Sequence, residues 1–473
     1  MPNQHASIGS PEQLKDPNYF PSLHYAVPLG AQHVLAMFVS NVTPAIIIAG
    51  AAGFGFGSHS PDFPQLIYMI QMSMLFAGVA TLFQTIGLGP VGARLPIVQG
   101  TSFAFIPVMI PLVAGKGVAA MPILMGAILV AGIFQASLGL IIKRIRYALP
   151  PLVTGLVVLM IGLSLVEVGI KYAAGGVPAM MKKLPEFGSL LNWSMALVVI
   201  VVTLGFKFFT RGLLSVSSIL IGLIAGYVYA FAIGQVNLGN IAKAATFAPP
   251  DPLHFGLAFA PGAIIGLCFM GFLSAVETVG DVSGITKGGA GREATGEELQ
   301  GATFADGLGS AVAGLFGALP NTSFSQNVGL IAMTQVMSRH VVTIGAFFLI
   351  LAGLVPKIGA AISTIPIEVL GGGVIVMFGM VAAAGISMLS DVNWTSRNMV
   401  IFAISLSSGL GLQLVPQALQ YLPSTIKILM TSGLFPAAFL AIILNLILPQ
   451  PLAPEQTEEI AGGHAGHGAA KSA

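Results

Sequence analysis

Long apolar runs alternate with short polar segments along the whole chain. A helix needs roughly 20 apolar residues to cross a bilayer, and runs of about that length lie at 27–51, 66–86, 118–140, 150–170, 191–209, 212–234, 257–281, 302–318, 341–355, 365–388, 398–414 and 424–449. Two more segments, 97–114 and 323–337, are apolar but short and interrupted. Counting both, the pattern predicts an all-α polytopic membrane protein with fourteen transmembrane segments.

The placement of basic residues supports this count. An even number of spans puts both termini on one side. If that side is cytoplasmic, every arginine falls in an inside loop, as the positive-inside rule requires. These arginines are Arg94, Arg144, Arg146, Arg211, Arg292, Arg339 and Arg397. We therefore expect a multi-pass protein of the plasma membrane (a bacterial inner membrane) with both termini cytoplasmic.

The two interrupted segments resemble each other. Each contains Thr-Ser-Phe, at 101–103 and at 322–324, and each is third in its half when the chain is divided near residue 250. Seven spans per half would insert the halves with opposite orientation, which is typical of inverted-repeat transporters with a site at the membrane midplane. We expect an N-terminal tail (1–26), a first repeat (27–250), a second repeat (251–450) and a disordered C-terminal tail (451–473).

Composition excludes several other functions. The chain is 55% hydrophobic and 8% charged, whereas soluble domains carry about 25% charged residues. Its net charge of +2 gives no reason to expect a nucleic-acid partner. No phosphate-binding loop, metal-ligand cluster or nucleophile–base pair is evident, so we expect neither an enzyme nor a cofactor. His464 and His467 could bind a metal, but a solvated tail is the preferred interpretation.

Three acidic residues lie in or beside apolar spans, where charge is costly and usually functional. Glu277 and Asp281 are four residues apart, hence on one helical face. Two close carboxylates in a low dielectric resist being ionised together, so one of them could gain and lose a proton. Asp281 could instead be solvated at a helix end, and Asp306 could be a helix-start residue of the span 302–318.

Amide, imidazole and aromatic groups complete the candidate chemistry. Gln32 and His33 lie in the first span, where the imidazole could bond a carboxyl such as that of Glu277. In the second interrupted segment, the amide of Gln326 offers donors and an acceptor that match a purinedione edge. Phe103 offers a flat surface for a planar heterocycle.

Several motifs together resemble the nucleobase–ascorbate transporter family (nucleobase:cation symporter class 2). Residues 326–334 read QNVGLIAMT and are similar to the family signature Gln/Glu-Asn-x-Gly-x4-Thr. This chain departs from the signature at its last position, where Gln335 replaces the usual Arg, Lys or Gly. The other matching motifs are Gln32-His33, Thr101-Ser102-Phe103, Glu277 with Asp281, and Asp306. The glutamine at position 326 resembles the residue found there in the xanthine/urate permease branch.

The resemblance implies a 7+7 inverted repeat with short antiparallel strands in segments 3 and 10. Spans 1–4 and 8–11 would form a core domain, and spans 5–7 and 12–14 a gate domain through which a homodimer forms. The resemblance also implies residue roles. Substrate binding would fall to Glu277, Gln326, Phe103, Ser325 and Ser102. Proton coupling or support of the site would fall to Asp306, Asp281, His33, Gln32 and Asn327.

These inferences predict a proton-coupled symporter that imports xanthine, urate or both by an elevator-type movement, with the proton as coupling ion and no metal. Besides a passive channel, which saturable and concentrative uptake would exclude, two alternatives stay open. One is a symporter of uracil or another nucleobase within the same family. The other is an anion carrier of the sulfate-permease type, although deep acids argue against an anion-selective centre.

Overall fold

The computed structural model of the protein describes residues 8–54, 62–142, 144, 150–181, 183–390 and 392–449. It is mostly helical. Within those residues, seven helices are long and apolar enough to cross a membrane, or eight if the bent pair Arg339–Gly353 and Pro356–Ser363 counts as one span. The chain is therefore a polytopic membrane protein.

Twenty α-helices and two short strands lie along the described residues. The α-helices are α1 Pro11–Lys15, α2 Leu23–Ala52, α3 Phe63–Ile86, α4 Ile106–Val113, α5 Met121–Leu138, α6 Pro151–Ala173, α7 Val177–Met181, α8 Leu190–Phe209, α9 Leu213–Val216, α10 Ser218–Ala232, α11 Gly239–Lys243, α12 Pro261–Ile285, α13 Gly296–Leu315, α14 Ser325–Thr334, α15 Arg339–Gly353, α16 Pro356–Ser363, α17 Ile367–Leu389, α18 Ser396–Leu414, α19 Ser424–Thr431 and α20 Leu434–Ile447. The strands are β1 Gln99–Thr101 and β2 Asn321–Ser323.

The start of α13 corrects one interpretation. This helix begins at Gly296, six residues before the predicted span, because Thr295 caps it. The Thr295 side chain accepts a hydrogen bond from the backbone of Glu298, whose side chain bonds back to the cap, forming a capping box. Asp306 consequently lies well inside the helix and fully buried. The interpretation of Asp306 as a helix-start residue is wrong.

The main helix contacts join the first half of the chain to the second. They stay nearly the same when each span is replaced by the span at the same position in the other half. Helices α6 and α17 pack along each other, α5 packs on α13, and α3 packs on α15. The α6–α17 contact is close: a Cβ on Gly371 would lie 2.2 Å from the backbone nitrogen of Ala173. Small residues of this kind let membrane helices pack backbone to backbone.

The N-terminal segment is bound to the second half of the chain. Helix α1 begins after a capping box at Ser10 and buries Leu14. The Leu14 carbonyl accepts a 2.8 Å hydrogen bond from Met337, and that of Pro17 accepts a 3.0 Å bond from Arg339. Residues 8–22 therefore pack against the start of α15. The predicted C-terminal tail with its two histidines lies outside the described residues.

Candidate substrate site

The two interrupted segments meet as a pair of strands at the centre of the protein. Strands β1 and β2 run antiparallel, with Gly100 opposite Thr322, and both are fully buried. Two further backbone bonds extend the ladder, from Ser102 to Pro320 at 2.8 Å and from Phe324 to Val98 at 3.0 Å. Non-helical backbone within a membrane needs such internal partners. The antiparallel strands expected in segments 3 and 10 are confirmed.

The approach of the two strands depends on one glycine. A Cβ on Gly100 would lie 1.8 Å from a ring carbon of Phe324 and 2.7 Å from the Met37 methyl carbon. Only a residue without a side chain fits there. Helices α4 and α14 follow β1 and β2, so both begin beside the ladder, and their first N–H groups lack partners within the helix.

Asp306 lies at the centre of a buried hydrogen-bond network. One carboxylate oxygen accepts from Gln84 at 2.8 Å and from Gln99 at 2.5 Å, and the other accepts from the Thr278 hydroxyl. Gln84, Gln99 and Thr278 are themselves fully buried. The network joins α3, β1, α12 and α13 into one polar centre.

Asp281 links α12 to the second strand and the helix after it. Its two oxygens accept hydrogen bonds from Ser323, in β2, and Ser325, the first residue of α14, each at 2.7 Å. Two turns earlier, the Ser274 hydroxyl of α12 donates to the Thr322 hydroxyl at 3.1 Å. Asp281 is thus held by protein donors, which contradicts the alternative that it is simply solvated at a helix end.

Glu277 and Gln326 lie at this junction. Glu277 is one helical turn before Asp281, and Gln326 directly follows Ser325, so the bond between Asp281 and Ser325 brings their helices together here. Both side chains are half-buried. In the described part of the chain, neither makes a side-chain hydrogen bond, in contrast to the well-bonded Asp281 and Asp306. They are thus the polar groups of this junction that remain free to meet a ligand.

Phe103 and Ser102 lie in the turn between β1 and α4. The ring of Phe103 is buried and packs edge-to-face against Phe378 of α17, with centroids 5.2 Å apart. It therefore contacts the α6–α17 part of the molecule. The Ser102 hydroxyl is buried without a hydrogen-bond partner in the residues described. Most buried polar atoms find partners, so this hydroxyl can also serve a ligand.

The position of His33 differs from the expectation. Its Nδ1 lies 2.9 Å from the Asn327 side-chain nitrogen, which also donates to the His33 carbonyl at 3.2 Å. The hydrogen bonds of His33 in the described structure thus join α2 to α14 rather than reach Glu277. Gln32 is half-buried, and its side chain makes no hydrogen bond to the other described residues.

Sequence reasoning missed several members of the network. Gln84, Gln99, Thr278 and Ser323 were not selected as site residues, although they hold the two aspartates. The sequence did contain a signal for Gln84, an amide within a predicted apolar span, since such residues commonly bond across helices in membranes. Across the described ranges, His, Cys, Asp and Glu form no group of three or more that could hold a metal ion.

Comparison with known proteins identifies similar sequences over nearly the whole chain. A model of the Permease family (Xan_ur_permease) matches residues 24–418. The putative purine permease CPE0397 of Clostridium perfringens is 37% identical over 424 residues, which cover 90% of each chain. The uric acid permease PucJ of Bacillus subtilis and the xanthine permease XanQ of Escherichia coli are each 35% identical. The matches cover 91% of this chain, and 95% of PucJ and 92% of XanQ.

Two solved structures with a similar fold are transporters of low sequence identity. The transmembrane domain of a cyanobacterial bicarbonate transporter, BicA, superposes with a TM-score of 0.57 at 15% identity, covering 89% of this chain and 97% of that one. Murine Slc26a9, an anion transporter in the inward-facing state, gives 0.56 at 12% identity, covering 91% and 69%. At such identities the likeness shows the fold alone.

Proposed function

Because this chain belongs to the Permease family, and with it to the nucleobase–ascorbate transporters that its motifs resemble, we propose that it imports an oxidised purine, xanthine or urate, together with protons. Relatives named as xanthine and uric acid permeases support the substrate class. We propose a purine rather than uracil because position 326 is a glutamine, as the resemblance implies for the xanthine/urate branch.

The observation that carries the proposal is the unequal bonding of the three acids. Asp306 accepts from three protein donors and Asp281 from two. Glu277, one turn from Asp281, has no such donor in the described structure. A carboxylate without donors in a low-dielectric site is neutralised by a proton or stabilised by hydrogen bonds from ligand N–H groups. Glu277 is therefore the group on which proton and purine binding converge.

In this mechanism the purine lies between the starts of α4 and α14. Glu277 accepts from ring N–H groups, and the Gln326 amide pairs with a C=O and an N–H on the same edge. Phe103 packs on the ring face. Ser102 and Ser325 border the substrate and supply hydrogen bonds from the backbone around them. Asp281, Asp306, His33, Gln32 and Asn327 fix the geometry and couple it to the proton.

The proposed movement is of one helix group against another. Helices α2–α5 with α12–α15 would form the core and carry the site, and the remaining spans, including α6 and α17, would form the gate and the homodimer contact. The exchange-symmetric packing of the halves supports a 7+7 inverted repeat of fourteen spans. The contact between Phe103 and Phe378 is one point where core meets gate. Both termini would lie in the cytoplasm.

Uptake measurements test the function. We would measure labelled xanthine and labelled urate entering cells that express the protein, with and without a protonophore, and with unlabelled purines, uracil and sulfate as competitors. We expect concentrative uptake that the protonophore abolishes and that purines, but not sulfate, inhibit. Accumulation unaffected by the protonophore would refute proton coupling. Competition by uracil would favour another nucleobase, and competition by sulfate would favour the anion-carrier alternative.

A further inference from the structure

Three of the seven arginines line one cavity away from the candidate substrate site. The cavity has a volume of about 500 Å³, and its lining includes Arg94, Arg292, Arg339, Glu298 and Asn18. It is built by four separate segments: the N-terminal segment, the α3–β1 connection, the approach to α13, and the start of α15. None of the predicted substrate-site residues lines it.

The charges of this arginine cavity do not balance. Arg292 is paired with Glu298 through two bonds, of 2.9 Å and 2.5 Å. Glu298 also accepts from the Thr295 backbone at 2.8 Å, so its carboxylate is bonded to the start of its own helix as well as to Arg292. Among the described residues, Arg94 and Arg339 form no salt bridge. Three guanidinium groups and one carboxylate leave an excess of two positive charges.

Backbone carbonyls hold the Arg339 side chain, and Arg94 has an unusual backbone conformation. The Arg339 guanidinium donates to the carbonyls of Thr85 and Ile86, at 2.8 and 3.3 Å, where α3 ends, while its buried Nε has no partner in the described chain. Arg94 has a left-handed backbone (φ 55°), which is costly for a residue with a side chain. Strained residues of this kind concentrate at ligand sites.

We propose that the arginine cavity binds a phosphoryl group. Guanidinium groups match phosphate oxygens in charge and in bidentate geometry. Arg94 and Arg339 would bind the phosphate directly. Arg292 would line the cavity while it stays bonded to Glu298. The positive-inside pattern assigns this end of the molecule to the cytoplasm, where phosphoryl groups come from anionic lipid headgroups at the membrane surface or from soluble phosphate esters and inorganic phosphate.

Thermal unfolding of the purified, delipidated full-length protein in detergent tests the proposal. The single cysteine, Cys268, is half-buried, so a thiol-reactive dye reports unfolding. The probes are inorganic phosphate and phosphatidylglycerol, with sodium chloride of equal ionic strength and phosphatidylcholine as their controls. A ligand that binds only the folded state raises the midpoint as its concentration rises. We expect a saturable rise with at least one probe and none with the controls.

Substitutions locate the effect. Arg94→Gln should raise the half-saturating concentration of the active probe about tenfold, the usual loss for one bond to a charged group. Arg94 is exposed, so this variant should fold, whereas Arg339→Gln also removes bonds to α3. Arg144→Gln, an exposed arginine outside the cavity, is the matched control and should not change binding.

The outcomes separate the possible sources. A rise with phosphate in lipid-free protein supports a soluble ligand, and a rise with phosphatidylglycerol alone supports a lipid headgroup. No saturable rise with either probe, or the same half-saturation in wild type and Arg94→Gln, would overturn the proposal. Because purine transport is not the readout, this result is independent of the substrate proposed above.

Discussion

Ser325 Oγ lies 2.7 Å from Asp281 Oδ1, so the first residue of α14 is fastened to α12 beside Glu277 and Gln326. Asp281 also accepts from Ser323, which lies in β2. The second strand, the helix after it and the acid-bearing helix are therefore held as one unit. The two serines are not equivalent, because Ser323 is buried and Ser325 is exposed.

The first prediction follows from that difference. Ser325→Ala removes one of two donors to Asp281 but leaves the strand intact, so we expect normal membrane insertion with an apparent KM for the purine roughly tenfold higher. Labelled xanthine uptake at several concentrations measures this. Ser283→Ala is the control, since among the described residues the Ser283 side chain bonds only to the backbone of its own helix. An unchanged KM in Ser325→Ala would show that the link does not position the site.

A second prediction concerns Glu277. Glu277→Gln keeps the size of the side chain but cannot bind and release a proton at this position. We expect concentrative uptake to fall roughly 100-fold at every pH, with unchanged abundance in the membrane. Glu167→Gln replaces an exposed acid paired with Lys171 and should transport normally. Wild-type uptake by Glu277→Gln would refute its assigned role.

A third prediction separates structure from coupling at Asp306. In Asp306→Asn, an amide group would face the donors Gln84, Gln99 and Thr278, leaving at least one buried donor unsatisfied. Each such group costs about 1–3 kcal/mol, so we expect a lower melting midpoint as well as lost transport. Asp251→Asn, on an exposed loop residue, should melt like the wild type. A stable but inactive Asp306→Asn protein would instead indicate a purely functional role.

The sequence predicted the general architecture because its signals are local. Hydrophobic run length and arginine placement predict a polytopic helical protein. The family resemblance implied the two strands that pair in the structure, in the segments that share Thr-Ser-Phe at 101–103 and 322–324. The acids could be selected because charge within an apolar span is exceptional.

The partners of those acids could not be predicted, because they come from distant parts of the chain. Gln84 and Asp306 are 222 positions apart, and Asn327 and His33 are 294 apart. The spacing of apolar and polar residues within one helix carries no information about such distant pairings. The same limit explains why His33 was expected near Glu277. The local sequence predicts which helix carries a given side chain, but the side chain's neighbours depend on how the helices pack.

Gly100 gives a fourth prediction. In Gly100→Ala the new Cβ would overlap the Phe324 ring, so the strands would have to separate. Small-to-large changes in packed sites cost typically 1–3 kcal/mol and more where the neighbour cannot move. We expect poor expression or a lower melting midpoint. Gly205→Ala is the matched control, because a Cβ there meets open space. Equal stability of the two variants would mean that the strands do not pack this closely.

The fifth prediction concerns pH at the start of α13. Partial burial acts to raise the pKa of Glu298, but hydrogen bonds from Arg292 and Thr295 outweigh it and hold that pKa below its ordinary value of 4.5. A lowered pKa in the folded state adds stability that is present above pH 4.5 and is lost as the pH falls through the folded-state pKa.

Glu298→Gln should therefore lower the melting midpoint at pH 7, by an amount corresponding to about 1 kcal/mol, since glutamine can keep the capping box but not the ion pair. The difference from wild type should shrink as the pH falls below 4.5. Melting curves from pH 7 to the lowest pH at which the protein stays soluble measure this. Glu297→Gln, one residue earlier and exposed, should match wild type throughout. A constant difference at all pH values would assign the effect to packing, not to the charge.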